Sequence, residues 1–210
     1  MVKKEFQNIK KKVSFLKRFF KKGASLCWGI FAEIYFAGGY ALDDLTNFRW
    51  EFKGLRDLYW WPYDLYLQTK IKEKPSFEKN RLLKVSIKRL IKVGLLKKEG
   101  GKIKVTSFGK ELMNFAKEHA QALKKWDGKI RLVIFDIPEK KAHFRELIRD
   151  QLKLLGYKYL QRSVYIGKAP LPLSFYQNVK KLKLEKEIFI FIVQAIDKED
   201  YILSKLGLLK

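Results

Sequence analysis

The stretch "WDGKIRLVIFDIPEKK", Trp126–Lys141, decides the fold of the second half of the chain. Its centre, Arg131–Ile137, is a nearly continuous run of branched and aromatic side chains, a composition typical of a buried strand. The run carries one carboxylate, Asp136, near its end. Pro138 follows where a helix would begin, a position at which the missing N–H of proline is tolerated. The stretch therefore predicts a buried strand that leads past Asp136 into a helix.

The pattern that follows predicts a ferredoxin-like unit. The helix after Pro138 is expected to run to Leu155, because apolar residues recur there at helical spacing and Gly156 can end it. The next predicted elements are strands at 157–161 and 163–167, a helix at about 175–182 and a strand at 187–196. Their order, βαββαβ, is that of a split ferredoxin-like unit. We therefore predict an α+β fold class in which residues 125–210 form the second domain.

The segment from residue 75 to residue 123 predicts a winged helix-turn-helix. An amphipathic helix with Ser76 as its candidate cap is followed by Gly94, and then by a basic hairpin that turns at Gly100-Gly101. Both turn residues of such a hairpin need positive φ, which glycine adopts without strain. Helix, glycine, hairpin and helix is the winged-helix order, and the segment is similar to winged-helix regulators.

Charge is the strongest indication of a partner. The chain has 46 Lys and Arg against 22 Asp and Glu, a net charge of +24. Residues 1–125 hold 29 of the basic and 12 of the acidic residues. The expected polyanion-binding part is thus the first domain, residues 1–124, which includes a basic amphipathic helix at Lys3–Lys22. Nucleic acid is the favoured partner and an acidic membrane surface the second choice, although many winged helices bind protein.

The winged-helix prediction selects a set of contact residues for double-stranded DNA. In such a domain the second helix of the pair enters the major groove, and the hairpin wing can touch phosphate or the minor groove. The predicted contacts are Lys79, Asn80, Arg81, Lys84 and Lys88 on the helix, Lys97, Lys98, Lys102 and Lys104 on the wing, and Arg162 in the second domain. The aromatic stretch at 57–67 could stack on bases, but core packing is the simpler interpretation.

Two classes of protein are disfavoured. The only cysteine is Cys27 and there are two histidines, which excludes an intramolecular disulfide and nearly excludes a structural metal centre. The apolar run Ala24–Leu42 is short and contains Glu33 and three glycines, so it predicts a buried helix rather than a membrane span. We therefore expect a cytoplasmic protein without a membrane partner.

Two segments of the second domain resemble a known core. "IRLVIFDIPEKK", Ile130–Lys141, and "LGYKYLQRSVYIGKAP", Leu155–Pro170, resemble the core shared by the small CRISPR adaptation endonuclease subunits and by the central domain of PaaX-type transcriptional repressors. In both groups a strand ends in an aspartate, here Asp136. About 125 residues precede the domain, an arrangement similar to PaaX-like regulators. The resemblance implies a repressor-type DNA-binding regulator that forms a homodimer through its ferredoxin-like domain.

Two interpretations of Asp136 stay open. In the CRISPR subunits the matching aspartates of two protomers are proposed to hold a divalent ion, which implies a Mg²⁺-dependent endonuclease or CRISPR adaptation component with Asp136 as metal ligand and catalytic residue. Alternatively, Asp136 ends its strand and accepts backbone N–H bonds in the following turn. A single carboxylate holds magnesium weakly, so the second interpretation is preferred. A DNA-binding regulator in which Asp136 has this structural role needs no cofactor.

Overall fold

The computed structural model of the protein describes residues 2–21, 26–41, 48, 74–124 and 126–207. Two compact units form, one from residues 18–117 and the other from residues 1–17 together with residues 118–210. The described part contains helices and antiparallel sheets, which confirms the α+β class. Residues 1–17 and 118–124, assigned from the sequence to the first domain, group with the second unit. The roles given to the two domains, DNA binding for the first and dimerisation for the second, stay predictions.

The part of the chain before residue 125 has helices and a small antiparallel sheet, and most of these elements belong to the first unit. Element numbers follow chain order along the described residues, and α1 is Val2–Lys21. The next elements are α2 Leu26–Phe36, β1 Tyr40–Ala41, α3 Ser76–Lys92, β2 Leu96–Glu99, β3 Lys102–Val105 and α4 Ser107–Lys124. The strand order is β1-β3-β2. The helices and the hairpin were predicted, whereas the two-residue strand β1 was not.

Glycines set the local geometry of this unit. Gly100 and Gly101 have φ of 55° and 67°, so the hairpin β2–β3 turns where predicted. Gly94, with φ of 79°, follows the end of α3. The predicted cap of α3 is wrong, because Ser76 is already the first helical residue and no side chain caps the helix. A helix that starts directly after Pro75 leaves the serine inside the first turn.

The core of the first unit comes from the apolar sides of its helices and strands. Ile30, Phe31 and Ile34 of α2 are fully buried, which confirms the predicted buried helix within residues 24–42. None of the helices in the described ranges is long and apolar enough to cross a membrane. Close packing extends to Gly109 at the start of α4, where an added Cβ would lie 2.5 Å from the carbonyl oxygen of Leu95.

The second unit contains the predicted βαββαβ order. Its elements are β4 Ile130–Phe135, a 3-10 turn at Glu139–Lys141, α5 Ala142–Leu154, β5 Lys158–Gln161, β6 Val164–Gly167, α6 Leu173–Lys181, β7 Ile188–Val193 and α7 Glu199–Leu206. The strands form one antiparallel sheet in the order β5-β6-β4-β7. The helix expected from Pro138 starts instead as a 3-10 turn, because Lys141 has φ of −112° and interrupts the α-helical backbone. Helix α7 was not predicted.

Helix α1 belongs to the second unit for most of its length. Its apolar stripe, at helical spacing, is buried in full: Phe6, Ile9, Val13 and Leu16. The Phe6 ring lies 5.2 Å from the ring of Phe144 on α5. The ammonium of Lys17 lies 2.6 Å from a carboxylate oxygen of Asp150 on the same helix α5. The basic amphipathic helix expected from the sequence therefore packs on α5.

The two faces of the four-stranded sheet differ. Val133 and Phe135 point to a buried face, where the Phe135 and Tyr165 rings stack 6.0 Å apart. On the opposite face Ile166 packs with Ile202 and Leu206 of α7. Phe189 and Phe191 of the edge strand β7 lie on this second face, and the two residues are 51% and 49% exposed. Helix α7 therefore covers one part of this second face and leaves an apolar part open.

Candidate nucleic-acid interface

The outward face of α3 is basic. Leu83, Ile87 and Leu90 face the core, and the helical period of 3.6 places the exposed side chains of Arg81 and Lys88 on the opposite side. Lys84 is exposed beside them. Among the described residues no carboxylate pairs with these side chains. Three of the five predicted helix contacts thus lie together on a surface that a polyanion can reach.

The other two predicted helix contacts lie differently. Lys79 and Asn80 are half-buried and flank the core side of α3. Two exposed cations on this helix, Arg89 and Lys92, were not selected from the sequence. Lys92 follows Lys88 by four residues and therefore continues the same ridge, a spacing that could have identified it. The basic face of α3 therefore extends past the predicted contacts toward the carboxyl end of the helix.

The four predicted lysines of the hairpin lie on two different faces. Lys97 is paired directly with Lys104, and Glu99 with Lys102. Side chains alternate along a strand, so these four residues share one solvent face of the wing. Lys98 is opposite the buried Ile103 and belongs to the other face. Three wing lysines are therefore brought together and one is separated from them.

Glu99 sits among the wing lysines, and sequence reasoning overlooked it. Its carboxylate oxygens lie 2.8 Å from the ammonium of Lys97 and 2.9 Å from that of Lys104. Hydrogen bonds from Lys97 and then from Lys104 lower the pKa of Glu99 to about 2. The carboxylate is therefore charged at neutral pH and occupies a position between two cations where a phosphate could lie. In the described part of the chain, Lys102 has no such partner.

Thr106 connects α3, the wing and α4. Its hydroxyl donates a hydrogen bond to the carbonyl of Gly94 at 2.6 Å, directly after α3. The same hydroxyl accepts the backbone N–H of Gly109 at 3.0 Å, in the first turn of α4. The backbone N–H of Thr106 also donates to the carbonyl of Leu95 at 3.0 Å. These bonds fix the base of the wing against the end of the basic helix.

Asp136 lies at one end of the four-stranded sheet and is exposed. Its backbone N–H donates to the carbonyl of Glu187 at 2.9 Å, just before β7. Within the described ranges its carboxylate accepts no hydrogen bond, so the predicted acceptance of backbone N–H groups in the turn is wrong. The guanidinium of Arg145 instead donates to the carbonyl of Ile137 at 2.8 Å. Arg145 thus holds the turn through a backbone carbonyl, and the backbone N–H groups that the carboxylate was expected to bind are not involved.

Arg162 lies at the same end of the sheet, in the turn between β5 and β6. The next residue, Ser163, accepts the backbone N–H of Phe135 through its carbonyl at 3.0 Å, which places this turn beside the end of β4. The side chain of Arg162 is exposed, as a phosphate contact requires. The described structure assigns it to the second unit, whereas the helix and wing residues belong to the first.

The same region carries the family relationship. Residues 123–201 match a family model described as the PaaX protein central Cas2-like domain. The second unit thus contains a PaaX-type Cas2-like domain. No curated protein matches the chain. The resemblance seen in the two quoted segments is thereby confirmed for this part of the chain.

Within one chain, the described part of the Cas2-like domain provides few ligands for a metal ion. Glu139 is paired with Arg145 at 2.8 Å, and Glu187 with Lys141 at 2.6 Å. The described residues contain no group of three or more His, Cys, Asp or Glu that could hold a metal ion. Since Mg²⁺ requires several oxygen ligands, Asp136 alone would hold it weakly, and the further oxygens would have to come from water, a second molecule or nucleic acid. The aromatic stretch at 57–67 lies outside the described residues.

Proposed function

We propose that the protein is a DNA-binding transcriptional regulator that binds duplex DNA as a dimer. In this proposal the first unit is a winged helix-turn-helix, with α3 as the recognition helix and the hairpin β2–β3 as the wing. The observation that carries the proposal is the basic face of α3, formed by Arg81, Lys84 and Lys88, with which no carboxylate of the described residues pairs. Such a face, on a helix whose other side is buried, matches the charge and width of the major groove.

The hairpin supports the same function. Its solvent face carries Lys97, Lys102 and Lys104, and the hydrogen bonds of Thr106 hold its base next to the end of α3. A basic wing beside a basic helix extends the contact from the groove to the phosphates. The net charge of +24 supports a polyanion rather than a protein as the partner, because excess charge of one sign is relieved when phosphates replace released counterions.

The dimer is proposed through the Cas2-like domain. Phe189 and Phe191 lie on the same open sheet face, and each residue is about half exposed, 51% and 49%. Large exposed aromatic side chains that lie next to one another are typical of the centre of a protein interface. A two-fold axis at this face would present two copies of α3, so we expect a palindromic binding site.

Duplex binding measured against salt tests this function. Fluorescence anisotropy of a labelled duplex pool at 50 to 200 mM salt should show an affinity that falls steeply as salt rises. A protein that contacts about six phosphates would lose about a thousandfold over that range. Absent binding, or affinity that salt does not change, would contradict the proposal.

An endonuclease remains the second candidate because of one observation. The carboxylate of Asp136 is exposed and unpaired among the described residues, as a metal site shared by two chains would require. Metal-dependent cleavage that is lost in Asp136→Asn would favour that function.

A further inference from the structure

Two large apolar side chains lie exposed on the basic face of α3. Phe77 is 75% exposed and Val85 is 41% exposed. Arg81 lies four residues from each of them, and residues four apart are neighbours on a helix surface. Phe77, Arg81 and Val85 therefore form one ridge, which points away from the buried Leu83 and Ile87.

The positions of Phe77 and Val85 indicate that a ligand of this face has apolar groups. A single exposed apolar residue is ordinary on a protein surface. Here the two stand on either side of an arginine, with Lys84 and Lys88 next to Val85. A partner for this face must therefore offer negative charge together with small apolar groups, a combination that the major groove of duplex DNA provides.

The major groove matches the ridge residue by residue. Thymine carries a 5-methyl group that apolar side chains contact, and guanine presents the O6 and N7 acceptors that arginine binds through two donors. Phe77 and Val85 are eight residues apart, about 12 Å along the helix axis. Base pairs follow one another at about 3.4 Å, so this distance spans three to four of them.

We infer that α3 recognises thymine methyl groups through Phe77 and Val85 and guanine through Arg81. The preferred site would then hold a guanine with thymines on both sides within about four base pairs. This inference rests on the proposed function, since it specifies the DNA that the regulator binds. It makes Phe77, Arg81 and Val85 the specificity-determining residues, and leaves affinity for phosphate to the lysines.

The test replaces thymine by uracil, which removes only the methyl group. The full-length protein first selects its preferred duplex from a random pool, and anisotropy then compares that duplex with versions that carry uracil at single thymines. Each contacted methyl should contribute about fourfold to the affinity of the wild type, from the burial of one methyl-sized group. Val85→Ala should lose the discrimination at one thymine and Phe77→Ala at another. Arg81→Ala should relax the preference for guanine by roughly tenfold.

Val93→Ala is the matched control. Val93 is 42% exposed, almost the same as Val85, but it follows the end of α3 and stands off the ridge. This variant should keep every preference of the wild type. Because Val85 and Phe77 are exposed, their alanine variants should keep the wild-type circular dichroism spectrum and thermal transition.

The possible outcomes separate the inference from the function on which it rests. Salt-sensitive binding that responds equally to thymine and uracil would overturn the inference and leave the regulator proposal standing. Equal losses for both duplexes in Val85→Ala and Phe77→Ala would overturn it as well. If the wild type shows no salt-sensitive binding to any duplex, the proposed function itself fails.

Discussion

The carboxylate of Glu99 affects how strongly the lysines of the wing can bind phosphate. Lys97 and Lys104 are directly opposite on the hairpin, an arrangement that is unfavourable for like charges. Glu99 lies within 3 Å of both ammonium groups and offsets their repulsion. It also competes with any phosphate that approaches the wing.

Glu99→Gln should therefore strengthen non-specific duplex binding. Release of two lysines should steepen the slope of log affinity against log salt by about one to two units. The measurement is the salt dependence of anisotropy for the wild type and the variant. Glu146→Gln removes the same charge from an Arg149 pair in the second unit and should leave the slope unchanged. Equal slopes for wild type and Glu99→Gln would show that phosphates do not use these lysines.

Asp127 and Arg131 form an ion pair at the start of β4 that should make stability depend on pH. An Asp127 carboxylate oxygen lies 3.0 Å from the guanidinium of Arg131, whose residue is 8% exposed. Hydrogen bonding to Arg131 lowers the pKa of Asp127 from its usual 3.8 to about 2. A carboxyl group whose pKa is lower in the folded than in the unfolded protein stabilises the folded state at any pH above its unfolded-state pKa. This stabilisation is lost as the pH falls through the folded-state pKa.

Asp127→Asn should thus lower the Tm at pH 6, because it leaves a nearly buried guanidinium without its counter-ion. The difference from the wild type should narrow as pH falls from about 4 to about 2, as the wild-type carboxylate itself becomes protonated. Thermal unfolding followed by circular dichroism across this range measures the effect. Asp197→Asn, which changes an exposed carboxylate that among the described residues accepts a bond only from the next backbone N–H, should alter Tm little. A constant difference at every pH would refute the assignment.

Among the elements of the fold, α3 and the hairpin β2–β3 carry the proposed DNA contacts. Lys84→Glu combined with Lys88→Glu reverses two charges on the outward face of α3 without touching its buried side. Duplex affinity at moderate salt should fall by at least about tenfold, and the salt slope should fall by about two units. Anisotropy with the same duplex gives both quantities.

The control for this pair makes the same change of charge elsewhere. Lys153→Glu with Lys158→Glu alters two exposed lysines of the Cas2-like domain. Binding should be reduced far less in the control than in the α3 variant. If both pairs weaken binding equally, net charge rather than the basic face of α3 governs the affinity.

The edge strand β7 makes a separate prediction about assembly. Phe189→Asp with Phe191→Asp places charges on the open sheet face, where a second copy would have to bury them. The variant should elute as a monomer in size-exclusion chromatography with light scattering, at a concentration where the wild type is a dimer. Leu173→Asp with Tyr176→Asp changes two exposed apolar residues of α6 and should stay dimeric. A dimeric Phe189/Phe191 variant would exclude this face as the interface.

Periodicity and glycines explain which elements could be predicted. The bounds of α3 follow from its apolar stripe and Gly94, and the hairpin follows from Gly100-Gly101. Strand β1 has two residues and pairs with β3 about sixty residues later, so no local pattern reveals it. Helix α7 is short and begins after Lys198, which has a left-handed backbone with φ of 58°. Such conformations are rare outside glycine and leave no sequence signal.

The sequence predicted the basic residues of the candidate site better than it predicted the contacts between them. Helical spacing identified Arg81, Lys84 and Lys88, because the opposite side of the same helix had to be buried. The pairing of Glu99 with two lysines depends on strand register, and the turn bond of Arg145 depends on packing between distant segments. Neither is expressed in a local pattern.

For the whole molecule, we propose that the basic first unit binds DNA and that the Cas2-like domain pairs two chains. The protein would then bind duplex DNA and leave it intact. The competing function needs Asp136 to hold a divalent ion, whereas DNA binding through α3 and the wing does not involve that carboxylate. One variant, Asp136→Asn, therefore separates the two.

The most direct measurement combines duplex binding and cleavage in one experiment. Wild type and Asp136→Asn are incubated with labelled duplex in the presence of Mg²⁺, Mn²⁺ or a chelator, at several salt concentrations. We predict tight, salt-sensitive binding that is equal for both proteins, independent of metal and without loss of intact duplex. Cleavage that requires metal and disappears in Asp136→Asn would contradict the account and identify a nuclease.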